Sequence, residues 1–238
     1  MNATAKPQDR VRGQLDVGLS PQGEAEADHL GRRIAAKGSI DSIVASPMTR
    51  AQQTVAAVLK HNPQAKFLGS AQQALPWNQG VVTGQPISDA QPIIQQAADH
   101  PETPIPGGES VDQVDHRSGQ FVHQQLHSLH PGERRLVLAH HSQMRYLHGW
   151  SKKGFPPDMS ADPAEMATRA DKAKPAGSLI RLAKGKDGKP MLHENPIDSN
   201  EPIKAGLNFA RHGATELNKE SGGSRLAALS PKSKAPLS

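Results

Sequence analysis

The sequence predicts an α/β fold in which a mostly parallel β-sheet carries helices on both faces. Two short apolar runs, residues 39–45 and 134–139, each lead through a polar loop into a helix-like pattern of apolar residues. Strand followed by helix is the repeating unit of parallel sheets. A third apolar run, residues 206–210, supplies another strand, and residues 177–193 read as a hairpin. The chain has 238 residues, and we expect one domain over residues 1–238.

The first two helices are predicted by the same start signal. Ser20 precedes Pro21, and Ser46 precedes Pro47. Each pair places a capping hydroxyl before a proline at the first helical position. Apolar residues at helical spacing follow both signals. The predicted strand at 39–45 lies between these two helices.

The middle of the chain is less regular. Residues 60–110 are rich in Gln, Pro and Gly and predict an irregular segment. Residues 110–129 predict a helix. A further helix follows the second predicted strand, with Met144, Leu147 and Trp150 as its apolar positions.

Composition excludes several classes of protein. Cys is absent, which rules out disulfides, cysteine nucleophiles and Cys-ligated metal sites. No apolar run reaches the ~18–20 residues of a membrane span, and the first residues lack the apolar segment of a secretory signal. We therefore expect a cytoplasmic protein without membrane association. The polar residues 1–9 and 221–238 are expected to form flexible tails.

The formal net charge of +5 is compatible with two kinds of partner. A basic surface could bind nucleic acid, but the Lys and Arg residues are scattered and form no run longer than a pair. A basic pocket for an anionic substrate accounts for the same charge. We expect no nucleic-acid partner.

Three predicted strands are followed by cationic or titratable side chains. Arg50 follows the first, His140 and His141 follow the second, and Arg211 and His212 follow the last. Ligands of open α/β sheets bind beyond the carboxyl ends of the strands. Two arginines and two histidines in that position would bind a phosphate dianion, and a neutral imidazole could attack phosphorus.

These residues stand in longer motifs. Residues 209–218, FARHGATELN, contain R-H-G-x-T with Asn three residues later, and residues 46–54 read SPMTRAQQT. Residues 106–110, PGGES, precede Arg117, and residues 136–147 carry a strand that ends in histidine. Together these motifs resemble those of the histidine phosphatase superfamily, the phosphoglycerate mutase-like proteins.

The resemblance extends over residues 10–218 and implies a three-layer phosphoglycerate mutase-like fold. Residues 16–23 look like the family segment D-x-P-L-T-x-x-G, with Gly18 in the proline position. In the family the R-H-G motif opens the chain, whereas here it lies near the end and the other motifs keep their order. This order predicts a circular permutation with the first strand moved to the C-terminus. A piece of a longer chain with tandem domains is the alternative.

The resemblance also implies roles for the site residues. His212 would attack phosphorus and carry a phosphohistidine. Arg211, Arg50 and the second histidine would hold the phosphoryl oxygens. Substrate contacts would come from Gly213, Thr215 and Asn218. Neither a metal nor a cofactor is implied, and the substrate would be a small-molecule or protein phosphomonoester.

Two assignments have alternatives. The spacing to Arg145 favours His140 as the second catalytic histidine. Ser142, which directly follows His141, favours His141 instead. We assign His140 as catalytic and His141 as substrate-binding.

The proton donor for the leaving group is the second open assignment. Residues 75–84, where the family has an acidic residue, contain no carboxylate. Glu109 is the candidate that a motif carries, and Asp89 is weaker. The expected function is phosphomonoester hydrolysis. The alternative is a phosphate- or phosphoprotein-binding pseudo-phosphatase with little or no activity.

Overall fold

A computed structural model describes residues 10–152, 154–155, 178–184, 190–196 and 201–211. The helices are α1 (Pro21–Ala36), α2 (Thr49–His61), α3 (Ile87–Asp99), α4 (Val111–His127) and α5 (His141–Lys152). The strands are β1 (Ser42–Ala45), β2 (Lys66–Ser70), β3 (Arg134–Ala139), β4 (Ser178–Lys184), β5 (Pro190–Pro196) and β6 (Gly206–Arg211).

The strands form one mixed sheet in the order β2-β1-β3-β6-β4-β5. Strands β2, β1, β3 and β6 are parallel to their neighbours, and β4 and β5 form an antiparallel hairpin beside β6. Strand β6, the last one in the described part of the chain, therefore lies in the middle of the sheet. Its parallel pairing with β3 brings its carboxyl end next to the carboxyl end of β3.

Helices cover both faces of this sheet, as predicted. On one face, β1 and β3 pack against α1 and α2 through Ile43, Leu136, Leu30 and Val55. On the other face, the core includes α4 and α5, and Phe121, Leu147 and Trp150 are all almost fully buried there. Alternate residues of the strands serve the two cores, which is the period of a β-strand.

The first helix begins as predicted. Ser20 is the N-cap of α1, and its hydroxyl accepts a hydrogen bond from the Gly23 backbone N–H. The corresponding prediction for Ser46 is wrong. Helix α2 begins at Thr49, whose backbone N–H and hydroxyl both donate to the Asp16 carboxylate at 2.8 Å. A carboxylate from a distant segment therefore caps α2, which no local pattern reveals.

The prediction of an irregular segment over residues 60–110 is also wrong in part. This stretch contains β2 and α3. Strand β2 lies at the edge of the sheet and is largely exposed, so it carries no buried apolar pattern. Helix α3 contains Pro92, a residue that usually argues against a helix interior. Its apolar face packs into a small separate core with Val11, Val82 and Ile105.

Every helix in the described part of the chain is too short or too polar to cross a lipid bilayer.

Candidate active site

The candidate site lies where three parallel strands end. In the strand register, Ala45 of β1 pairs with Leu138 of β3, and Ala139 of β3 pairs with Arg211 of β6. The residues that follow β1 and β3 therefore emerge at the same edge of the sheet as Arg211. Of the side chains that the sequence placed at three strand ends, this edge brings together the described ones: Arg50, His140, His141 and Arg211.

Arg50 is fixed in the first turn of α2. It is almost fully buried, and its Nη1 donates to the Leu15 backbone carbonyl at 3.0 Å. Burial lowers its pKa to about 10, and the nearby Asp16 carboxylate opposes this shift. At neutral pH the guanidinium is still charged. Arg50 is thus a cation held in place before any substrate arrives.

Arg211 ends β6 at the centre of the sheet. Burial lowers the pKa of its guanidinium, while the Glu26 carboxylate raises it. The Arg211 Nε is buried and has no hydrogen-bond partner among the described residues. The unused donor suits an anionic ligand, because a guanidinium presents several donors in a fixed plane.

The two adjacent histidines have different surroundings. His140 is buried, and its Nε2 lies 2.8 Å from the Ser46 hydroxyl, which ties the end of β3 to the end of β1. His141 is partly buried at the start of α5. Desolvation lowers the pKa of His141 to about 3, and the positive charges of Arg145, Arg211 and Arg12 add to this shift. The charges of these arginines therefore act on His141.

Arg12 also belongs to this cationic group, although sequence reasoning assigned it no role. Burial is the main cause that lowers the pKa of its guanidinium to about 10, and repulsion from Arg50 and Arg211 adds to this shift. The sequence signal that could have pointed to Arg12 was its position directly before Gly13 and shortly before the D-V-G-L segment. Ser46 was likewise predicted only as a helix cap, whereas its hydroxyl contacts His140.

Glu109, the expected proton donor, is hydrogen-bonded through both of its carboxylate oxygens. Its carboxylate accepts hydrogen bonds from Arg117 Nε and Nη2, both at 2.8 Å, and from the Asn78 backbone N–H at 2.9 Å. The same guanidinium donates to the backbone carbonyls of Gln73 and Leu75. These contacts give the Glu109–Arg117 pair a structural role, because they fix residues 73–78 before the site.

The weaker candidate for the proton donor, Asp89, lies exposed in the first turn of α3, where its Oδ1 accepts a hydrogen bond from the Ser88 hydroxyl.

Four other predicted site residues lie outside the described residues: His212, Gly213, Thr215 and Asn218. Within the described ranges there is no cluster of three or more His, Asp or Glu side chains that could hold a metal ion.

Comparison with known proteins identifies the family. The model of the histidine phosphatase superfamily (branch 1) matches residues 2–166, well over half of the chain. The chain belongs to the histidine phosphatase superfamily. This membership agrees with the motifs that pointed to it.

Two curated relatives have different activities. A broad-specificity phosphatase of Saccharomyces cerevisiae is 29% identical over 147 residues, which are 60% of this chain and 63% of that protein. A 2,3-bisphosphoglycerate-dependent phosphoglycerate mutase of Azorhizobium caulinodans is 35% identical over 143 residues, 57% of this chain and 69% of that protein. The chain thus spans less than two thirds of the yeast relative. Relatives of these kinds give no support to the alternative of an inactive binding protein.

Solved structures of superfamily members share the fold. The alpha-ribazole phosphatase from Shigella flexneri superposes with a TM-score of 0.61 at 17% identity, over 81% of this chain and 90% of that chain. The mycobacterial glucosyl-3-phosphoglycerate phosphatase in complex with inorganic phosphate gives a TM-score of 0.58 at 19% identity, over 79% and 90%. At these identities the likeness establishes the α/β architecture.

Proposed function

We propose that the chain hydrolyses phosphomonoesters through a phosphohistidine on His212. One observation carries the proposal: Arg50, Arg211 and the neutral His141 come from three neighbouring strand ends and form one cationic site. His212 follows Arg211 directly in the sequence. Superfamily membership and phosphatase relatives support the same reaction.

In the proposed reaction, an imidazole nitrogen of His212 attacks phosphorus and the bond from phosphorus to the leaving oxygen breaks. The leaving oxygen departs with the bonding electron pair and takes up a proton. Water then attacks the phosphohistidine and releases inorganic phosphate and the free histidine. Arg50 and Arg211 would hold the equatorial oxygens, where negative charge is concentrated in the transition state.

We propose to exchange the roles first assigned to the two histidines. His141, on which the charges of Arg145 and Arg211 act, would donate a hydrogen bond to a phosphoryl oxygen. His140 would position the site by joining the ends of β3 and β1 through the Ser46 hydroxyl. The Ser46 contact of His140 and the positive charges that act on His141, rather than the spacing to Arg145, support this exchange.

The positive charge of the site also affects which group could donate a proton to the leaving oxygen. Cations near His141 oppose its protonation, and they would also keep a nearby carboxyl group ionised. An ionised carboxylate is a poor proton donor at neutral pH. We therefore propose that the chain favours substrates whose leaving oxygen is stable as an anion. Aryl phosphates are suitable probes for this reason.

The test is hydrolysis of p-nitrophenyl phosphate by wild type and by His212→Ala. His100→Ala, which removes an exposed histidine, is the matched control. We expect turnover to disappear in His212→Ala only. A 32P-labelled aryl phosphate should leave label on wild type that is stable to base and lost in acid. Wild type that binds phosphate without turnover would contradict the proposal.

We also propose that the strand order is a circular permutation of the family fold. The support is that β6, which precedes the R-H-G histidine, lies between β3 and β4 in the centre of the sheet. A rearranged chain that starts with residues 201–218 and continues with residues 10–200 tests it. We expect this chain to have the melting temperature of wild type and to hydrolyse p-nitrophenyl phosphate at the wild-type rate. Loss of folding in the rearranged order would overturn the permutation.

A further inference from the structure

Gln143 is a buried amide in the first turn of α5, and only 2% of it is exposed. Its Oε1 accepts hydrogen bonds from the His140 backbone N–H at 3.2 Å and from the Ser142 hydroxyl at 3.0 Å. Its Nε2 donates to the Leu75 backbone carbonyl at 2.7 Å. The two ends of this amide therefore bind two separate segments of the chain, one of which carries the histidines of the candidate site.

The contact with His140 is one half of a helix cap. His140 precedes the first residue of α5, and Gln143 is the third residue of the helix. Helix α4 begins with the complete arrangement, in which Ser110 and Gln113 each accept a hydrogen bond from the other's backbone N–H. In α5 a histidine takes the place of that serine. The cap thus fixes the backbone of His140, while its ring contacts the Ser46 hydroxyl.

The Leu75 carbonyl is held from two helices. Arg117 of α4 donates to it at 3.0 Å, and Gln143 of α5 donates to it at 2.7 Å. Arg117 is itself paired with Glu109. One chain of hydrogen bonds therefore runs from this ion pair, through the carbonyl and the amide, to the backbone of His140. These bonds keep a fixed spacing between the segment before the site and the turn that carries the histidines.

The contacts of Gln143 require an amide. An amide carries an acceptor oxygen and a donor nitrogen on one planar group, so it can bind two donors and one carbonyl at the same time. An ionised carboxylate of the same shape has only acceptors and would place an oxygen against the Leu75 carbonyl. A buried polar atom that loses its partner in this way is costly. Gln143→Glu therefore breaks the contact with Leu75 without changing the shape of the side chain.

We infer that Gln143 is a positioning residue for the histidines of the site. It acts through the backbone of His140 and sets where the rings of His140 and His141 lie relative to the arginines. Arg50 is held separately by its bond to a backbone carbonyl, and Arg211 by the register of β6. The inference rests on the proposed phosphatase function, in which His141 donates to a phosphoryl oxygen.

The first test observes the histidine rings and needs no turnover. Imidazole 15N NMR is recorded on the full chain over a range of pH, below the melting transition, for wild type, Gln143→Glu and Gln143→Met. We expect the ring resonances of His140 and His141 to shift in both variants. The Met variant adds no charge, so a shift there reports a change of position. Gln143→Asn keeps the amide with a shorter reach and should give a smaller shift.

The matched control is Gln113→Glu, the same substitution at the same position of α4. A carboxylate there still accepts the hydrogen bond from the backbone of Ser110, so the histidine resonances should stay as in wild type. The inference is wrong if the rings of His140 and His141 give wild-type spectra in all three Gln143 variants.

Steady-state kinetics with p-nitrophenyl phosphate provide the second readout. Because both arginines keep their anchors, the KM of Gln143→Met should stay within about threefold of wild type, while kcat should fall about tenfold to hundredfold, as for a misplaced catalytic group. A lower melting temperature with wild-type kcat and KM would assign Gln143 to the scaffold and overturn the inference. Wild type without turnover would contradict the proposed function, and the NMR spectra would still decide the role of Gln143.

Discussion

Replacing Glu109 with Gln distinguishes a structural carboxylate from a proton donor. The two carboxylate oxygens accept three hydrogen bonds, two from Arg117 and one from the Asn78 backbone. Both partners of the ion pair are only about one-fifth exposed, at 20% for Arg117 and 22% for Glu109. A neutral amide has one acceptor oxygen, and its NH2 group faces a donor.

The expected loss of stability follows from these contacts. Glu109→Gln removes the charge and at least one of three hydrogen bonds, and charge-assisted hydrogen bonds contribute about 1.5–3 kcal/mol each. We therefore expect the free energy of unfolding to fall by about 2–3 kcal/mol. For a domain of this size, this loss lowers the melting temperature by about 4–12 °C.

The assay combines thermal melting with turnover of two substrates. Phenyl phosphate has a more basic leaving oxygen than p-nitrophenyl phosphate and depends more on a proton donor. Asp41→Asn, which breaks the more exposed ion pair with Arg134, is the matched control and should cost less than about 1 kcal/mol. The structural assignment fails if Glu109→Gln leaves the melting temperature unchanged and slows phenyl phosphate selectively by about 10²–10⁴-fold.

Three further outcomes follow from the structure. Because the pKa of His141 lies near 3 when folded and near 6.5 when unfolded, stability should fall as pH drops from about 6.5 towards 3, and His141→Asn should flatten this slope in pH-dependent denaturation. Gly31→Ala would place a Cβ 2.8 Å from the Ala57 carbonyl, so chemical denaturation should show a loss of about 1–3 kcal/mol. In a double-mutant cycle, Ser46→Ala and His140→Ala should be coupled by about 1 kcal/mol, and additive losses would contradict the contact.

The parts of the fold that sequence predicted well are those with strong local signals. Strand β3 was predicted at its observed bounds because residues 136–139 form an uninterrupted apolar run, and the structure buries all four. The hairpin of β4 and β5 also formed as expected. Edge strand β2 escaped prediction because its residues are mostly exposed, and α3 because its interior holds Pro92.

Only those site residues that stand in a family motif were predictable from the sequence. Arg50 and Arg211 stand in recognisable motifs, and the structure places both at strand ends. Arg12 lies in a turn whose position depends on contacts with residues 76–85, which are separated from it by more than sixty residues in the sequence. The roles of His140 and His141 depend on which side chain faces inward, and one residue of register decides that.

Strand register links the packing of the sheet to the geometry of the site. Within β6, Phe209 faces the core that includes α4 and α5, while Ala210 faces the core with α1 and α2. A shift of one residue would exchange these faces and leave Phe209 in the space that Ala210 fills. The same shift would move Arg211 away from its position opposite Ala139. The apolar alternation of β6 therefore fixes the cation beside the histidines, although neither Phe209 nor Ala210 takes part in the chemistry.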